Sequence, residues 1–192
     1  MIVGIDPGHG GKDPGAVAGD LTEANYVWQF SQRLETTLKL NNHSVLKSRQ
    51  KDEDPPFSKR TENLAGSNVC FSIHINAGQP SWTGGIFFWT AGVVASDKSS
   101  FLAKKLHEHW PNEFRHRRTA SALHSVAAED LDSQLWLKRP YNVIRRYSQP
   151  AVLAELFFLS NAFDRKFAEH PFIEEQMRWA FVRALDAYQG QF

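Results

Sequence analysis

Four side chains in this 192-residue sequence have the types and settings to do chemistry together: His9, Glu23, His74 and Glu155. His9 stands in the glycine-rich bend Pro7-Gly8-His9-Gly10-Gly11, directly after the apolar run Ile2-Val3-Gly4-Ile5-Asp6, and His74 lies at the carboxyl end of a second apolar, β-branched run. Glu23 sits in the first turn of a helical pattern, and Glu155 interrupts Val152-Leu153-Ala154-Glu155-Leu156-Phe157-Phe158. Two imidazoles and a carboxylate are the ligand set of a catalytic zinc, which keeps a fourth position open for water. His9, Glu23 and His74 fill that set and leave Glu155 over. A spare glutamate beside such an ion can take the proton from an attacking water and hand it to a departing amine. A lone histidine at a strand end is often a packing residue, and a glutamate at a helix start often serves the helix dipole. Glu155 is harder to dismiss, because an unpaired charge buried in an apolar strand costs several kcal/mol and needs a partner.

The surrounding elements must bring these residues to one place. Residues 2–6 read as a buried strand, and Thr22 as the cap of a helix that runs to about Leu40, with Ala24, Val27, Trp28, Leu34 and Leu38 at helical spacing. Residues 44–48 form a short strand, Asp52-Glu53-Asp54-Pro55-Pro56 a charged loop, and residues 58–65 a helix. Residues 69–75 are a central strand buried on both faces, followed by a strand at 85–90 and a helix at 96–109. Residues 111–140 are polar with short helices. Residues 151–158 are a second strongly apolar strand, 161–170 a loop and short helix, and 172–188 an amphipathic helix. The alternation predicts an α/β fold in a single domain, a mostly parallel twisted sheet flanked by helices on both faces. Strand ends converge on the carboxyl edge of such a sheet, where the helix after the first strand also begins, so all four residues can meet there.

Nucleotide loops share the strand, glycine and helix signature, but this bend departs from them. A phosphate loop of the Gly-x-x-x-x-Gly-Lys-Ser/Thr kind needs glycine at Asp6 and a hydroxyl residue at Asp13, and the third glycine of Gly-x-Gly-x-x-Gly would also fall on Asp13. Two carboxylates would repel a pyrophosphate. A net charge of +1, with 42% hydrophobic and 22% charged residues, is that of an ordinary globular chain and gives no bulk attraction for nucleic acid. Two local basic groups, Arg115-His116-Arg117-Arg118 and Lys138, Arg139, Arg145, Arg146, are solvated faces or contacts for an acidic substrate. Cys70 is the only cysteine, so no disulfide forms within the chain, and its apolar setting makes it a buried small hydrophobe. His43, His107, His109, His116, His124 and His170 have no comparable setting and read as surface or core residues.

Taken in order, Asp6-Pro7-Gly8-His9-Gly10-Gly11 with Asp13-Pro14-Gly15-Ala16, then Glu23, Ser72-Ile73-His74-Ile75-Asn76-Ala77, and Pro150-Ala151-Val152-Leu153-Ala154-Glu155 with Leu159-Ser160-Asn161 resemble the zinc-dependent N-acetylmuramoyl-L-alanine amidases of the Amidase_3 type. The resemblance spans nearly the whole chain, and the linked order of its motifs makes it specific. It implies a hydrolase that cuts the amide between the lactyl group of N-acetylmuramic acid and L-alanine in peptidoglycan. It carries over His9, Glu23 and His74 as zinc ligands and Glu155 as the catalytic glutamate. Asn76 would orient its loop, and Arg60 and Arg145 would serve substrate binding or support the ligands. Two departures bear on substrate preference: Phe157 replaces a glycine usual two residues beyond the glutamate and could narrow the groove, and the stretch between Arg60 and His74 is slightly short.

With no basic, hydrophobic and cleavable leader and no membrane-length apolar run, the expectation is a protein made in the cytoplasm, not inserted in membrane, that reaches the cell wall after release. A monomeric, endolysin-like catalytic domain over residues 1–192 fits this best. The alternatives are a bacterial remodelling amidase given as its exported mature part, or a wall-binding module without activity.

Overall fold

The computed structural model describes residues 1–89, 96–112 and 142–192. Its centre is a five-stranded sheet of β1 (Ile2–Pro7), β4 (Ser44–Lys47), β5 (Val69–Asn76), β6 (Ile86–Phe88) and β7 (Ala151–Phe158), in the spatial order β4-β1-β5-β7-β6. All pairings are parallel except that of β6 with β7, as the expected mostly parallel sheet requires. A two-stranded ribbon, β2 (Val17–Ala18) and β3 (Leu21–Thr22), links β1 to α1 (Glu23–Leu40). The other helices among the described residues are α2 (Phe57–Asn63), α3 (Ser96–Glu108), the single turn α4 (Asn142–Arg145), α5 (Ala162–Ala168) and α6 (Pro171–Gln191). The expected basic group at 115–118, together with Lys138 and Arg139, His116, His124 and most of the polar stretch 111–140, lies outside the described residues.

The side-chain alternation of the strands divides the interior in two. Val3, Ile5, Val69, Phe71, Ile73, Val152 and Ala154 belong to a large core with Val27, Phe30 and Leu34 of α1, Leu102 and Leu106 of α3, and Met177, Phe181 and Leu185 of α6. Cys70, Ala151 and Leu153, at the intervening positions, join a smaller cluster with Leu64, Phe88, Ile144 and Tyr147. Each buried Phe or Leu contributes about 1.5–3 kcal/mol of transfer free energy, so the face under the three long helices carries most of the stability. Phe71 and Phe181 meet edge to face at 5.0 Å, as do Phe87 and Trp110 at 4.8 Å.

Two local expectations change. Thr22 occupies the N-cap of α1, but its side chain makes no capping bond. The first helical N–H groups are satisfied by the ribbon loop instead, Glu23 donating to the Ala16 carbonyl at 2.9 Å and Ala24 to that of Pro14 at 3.0 Å. Phe157 is also redirected. β7 pairs His74 with Glu155 and Asn76 with Phe158, so it holds one extra residue between those pairs. This bulge breaks the alternation and turns both Leu156 and Phe157 into the large core. Phe157 is fully buried edge to face with Tyr26 at 5.1 Å, so it fills the core rather than the groove.

Candidate active site

The bend after β1 is held in a conformation that few sequences tolerate. His9 has φ of 55°, in the left-handed region that costs a non-glycine residue roughly 1 kcal/mol or more, so the neighbouring structure must over-determine it. Two buried arginines do so. Arg60 donates to the carbonyls of Pro7 at 2.7 Å and His9 at 2.7 Å, and Arg49 to those of Pro7 and Gly8, each at 2.9 Å. Gly8 is required by contact: a Cβ there would lie 2.3 Å from the His74 ring. Gly15 is required similarly, since its Cβ would press on Glu23 Oε2 at 2.6 Å and on the His9 ring.

Asp6 balances the arginines beneath the bend. One carboxylate oxygen accepts from Arg60 at 2.9 Å and from the Ser48 hydroxyl; the other accepts from Ser72 at 3.0 Å and Tyr147 at 2.9 Å. A buried carboxylate with four donors and a paired guanidinium is compensated rather than orphaned. Arg60 therefore supports the histidine loop, and the structure places it under the site as one of the residues lining the cleft.

Above this floor His9, Glu23 and His74 come together. Glu23 Oε1 lies 2.9 Å from His74 Nδ1 and 3.1 Å from His9 Nε2, and accepts the Ile75 backbone N–H at 3.0 Å. Its Oε2 accepts the Ala16 N–H at 3.0 Å, which fixes the rotamer. One ligand atom from each of the three residues lies within 4.8 Å of the others, an arrangement that could hold a metal ion. The chemistry of the set suits one: two neutral-capable nitrogens and an anionic oxygen, with Asp13 behind His9 and backbone N–H groups behind Glu23, match borderline divalent metals. Asp13 completes the support. Its Oδ2 is 2.7 Å from His9 Nδ1 and its Oδ1 accepts the Gly15 N–H at 3.0 Å, so His9 Nδ1–H points at Asp13 and Nε2 faces the cluster.

The charges explain the titration behaviour. The hydrogen bond to Glu23 raises His9 to about 9 against the opposing effect of burial, with Asp13 adding to the rise. Burial opposes ionisation of Glu23, but the hydrogen bonds from His74 and His9 outweigh it and hold its carboxyl well below the usual carboxylate range. Burial likewise disfavours a charged His74, and Glu23 and Glu155 overcome it, raising the imidazole. Glu155 stands opposite His74 in the β5–β7 register, on the same face. Its Oε2 is buried without a hydrogen-bond partner among the described residues, and burial pushes its carboxyl up to about 7. A carboxyl that changes charge near neutrality beside a charged cluster is suited to proton transfer.

The remaining expected residues fall at different distances from this centre. Asn76 Oδ1 accepts the Ala77 N–H at 2.8 Å and its carbonyl accepts from Leu159 at 2.7 Å, so it shapes the loop end. Arg145 is exposed on α4 and is not among the residues lining the cleft. That cleft, of about 390 Å³, is lined by Asp6, His9, His74 and Arg60 on the sheet side and by Asp54, Pro55, Pro56 and Phe57 opposite. In the sequence Asp6 and Asp13 count against a pyrophosphate and belong to the amidase-like motifs, but neither has a role in the site assigned to it, and Arg49 does not stand out. Their roles depend on which strand and loop atoms face them, a signal the linear order carries only in the i,i+4 spacing of His9 and Asp13.

Residues 3–187 match the family model described as N-acetylmuramoyl-L-alanine amidase. The chain is 28% identical over 179 residues to the N-acetylmuramoyl-L-alanine amidase CwlM of Bacillus licheniformis, covering 91% of this chain and 63% of that protein. It is 27% identical over 164 residues to the endolysin of Bacillus phage SPP1, covering 83% and 55%. It thus spans less than two thirds of each of these relatives. Among solved structures, the catalytic domain of CwlV, an N-acetylmuramoyl-L-alanine amidase from Bacillus (Paenibacillus) polymyxa, superposes with a TM-score of 0.76 over 98% of both chains at 21% identity, a likeness of fold.

Proposed function

The chain belongs to the N-acetylmuramoyl-L-alanine amidase family, and from that membership we propose that it hydrolyses the amide joining the lactyl group of N-acetylmuramic acid to L-alanine in peptidoglycan, with residues 1–192 acting as one catalytic domain. The observation that carries this reading is the meeting of His9, Glu23 and His74 on the same sheet edge as a buried Glu155 whose Oε2 has no hydrogen-bond partner among the described residues. Zinc is the ion the donor set suits best, and His9, His74 and Glu23 would hold it. When bound it supplies Lewis acidity, polarising an amide carbonyl and lowering the pKa of water to about 7.

The protein's own groups do the rest. Glu155 accepts a proton from the attacking water and delivers it to the departing amine of L-alanine, and its burial, which favours the protonated form, suits it to holding that proton between the two steps. Asp13 holds His9 in the tautomer that leaves Nε2 free, and Arg60 and Arg49 hold the bend that presents the ring. The test is digestion of purified peptidoglycan with mass analysis. Free L-alanine amino termini with intact glycan strands are expected; new reducing ends would mean a glycosidase. Glu155→Gln should keep metal and fold and lose about 10²–10⁴-fold in turnover, and substantial remaining activity would remove its role as base.

The similarity to a phage endolysin supports a lytic role in which the protein reaches the wall from the cytosol. The similarity to a bacterial amidase supports wall remodelling as the second reading. Production in a host with and without a membrane pore separates them: lysis that needs the pore fits the first, and its absence in both fits the second. Among the described residues no helix is long and apolar enough to cross a membrane. A monomer is the expected state, which sedimentation would check.

A further inference from the structure

The amidase reading leaves one feature of the cleft unused. Phe57, 44% exposed at the start of α2, lines the same cleft as His9 and His74, and the guanidinium carbon of Arg146 lies 5.7 Å from its ring centroid. Arg146 is exposed, and no carboxylate among the described residues pairs with it. The acids around the cleft are engaged otherwise: Asp13 on His9, Asp6 and Asp54 on Arg60. The uncommitted charge at this wall is therefore positive, although the cleft is rich in aspartates. A guanidinium resting on an aromatic face loses less freedom when it binds, and it keeps its planar fork for a carboxylate.

We propose that the Phe57–Arg146 wall receives a carboxylate on the peptide side of the substrate, and so selects acidic stem peptides. The proposal rests on the amidase reading, and the chemistry of that reaction fixes the side. The lactyl carboxyl of the acyl half is consumed in the scissile amide and the N-acetylated sugar is neutral. A free carboxylate on the substrate belongs to the residues after L-alanine.

The test compares N-acetylmuramoyl-L-alanyl-D-isoglutamate with its diamide, in which both carboxylates of the last residue are turned into amides so that no free carboxylate is left. The wild-type protein should favour the acid about tenfold in kcat/KM, through KM, the scale of one exposed charge-assisted hydrogen bond. Arg146→Ala should bring the ratio to about one while the rate on the amide substrate, the circular dichroism and the zinc content stay unchanged, and Arg146→Lys should keep part of the preference. A wild-type protein without preference, or an Arg146→Ala variant that retains it, overturns the proposal. If neither substrate is cleaved, the amidase reading fails. The wall is then judged by calorimetric binding of L-alanyl-D-isoglutamate to the zinc-loaded protein, where equal affinity for wild type and Arg146→Ala overturns it and weaker binding to the variant supports it.

Discussion

Val69, Phe71, Ile73 and Ile75 of β5 face the core under α1, α3 and α6, whereas the interleaved Cys70, Ser72 and His74 face the smaller cluster, the Asp6 network and the site. β7 repeats the division, with Val152 and Ala154 in the large core and Leu153 and Glu155 on the other side. One face is apolar and aromatic; the other carries a buried ion pair, a left-handed histidine and a carboxyl oxygen without a hydrogen-bond partner among the described residues. Each of the latter costs stability, and a fold of this size has only about 5–15 kcal/mol in hand. Concentrating the apolar burial on one face lets the opposite face hold strained and desolvated groups at the sheet's carboxyl edge.

If the faces divide stability from chemistry in this way, substitutions should separate by face. The largest effect is expected from His74→Ala on the site side: stoichiometric zinc and all measurable hydrolysis should be lost, while far-ultraviolet circular dichroism and the urea midpoint, compared between the zinc-free proteins, change little. Full metal occupancy in this variant, read by atomic absorption, would break the assignment. Next comes Phe157→Ala, only two residues from Glu155 in sequence but turned into the core by the bulge. It should lower unfolding free energy by about 3–5 kcal/mol, measured by urea titration, and leave kcat/KM per folded molecule nearly unchanged. A variant of normal stability with altered KM would return Phe157 to the groove.

Much of this division was legible in the chain. Continuous apolar runs placed β5 and β7, and helical patterns placed α1, α3 and α6, within a few residues; the helix expected over 172–188 runs from Pro171 to Gln191. His9, Glu23, His74 and Glu155 stood out because each is a polar residue at an edge or break of an apolar element. The bulge was not legible, since an extra residue in β7 is defined by its pairing with β5 rather than by its own sequence. The floor of the site was hidden for a related reason. Asp6, Arg49, Arg60, Ser72 and Tyr147 are scattered over the chain and acquire roles only when two strands, one helix and two loops come together. Of the two described residues of the basic cluster, Arg145 and Arg146, it is Arg146 whose guanidinium reaches Phe57 at a wall of the cleft.

The smallest expected effect tests whether the division extends to groups that touch the site from solvent. Asp13 is about half exposed, with a side-chain accessibility of 51%, and the hydrogen bond to His9 holds its carboxyl below the usual range. Its contribution to the fold should be small, because water competes for the carboxylate. Its contribution to the metal should not be, because Nδ1–H fixed on Asp13 both orients the ring and makes Nε2 a better donor. Asp13→Ala should weaken zinc affinity by about tenfold, the lower end of what such partners contribute given this exposure, with an unchanged urea midpoint. Asp13→Asn should recover most of the affinity, since an amide oxygen still accepts from Nδ1–H. Competition with a chromophoric chelator reads both variants. Equal affinity for wild type and Asp13→Ala would mean that Glu23 and the arginine-held bend suffice to aim His9, and the functional face would then end at the buried cluster.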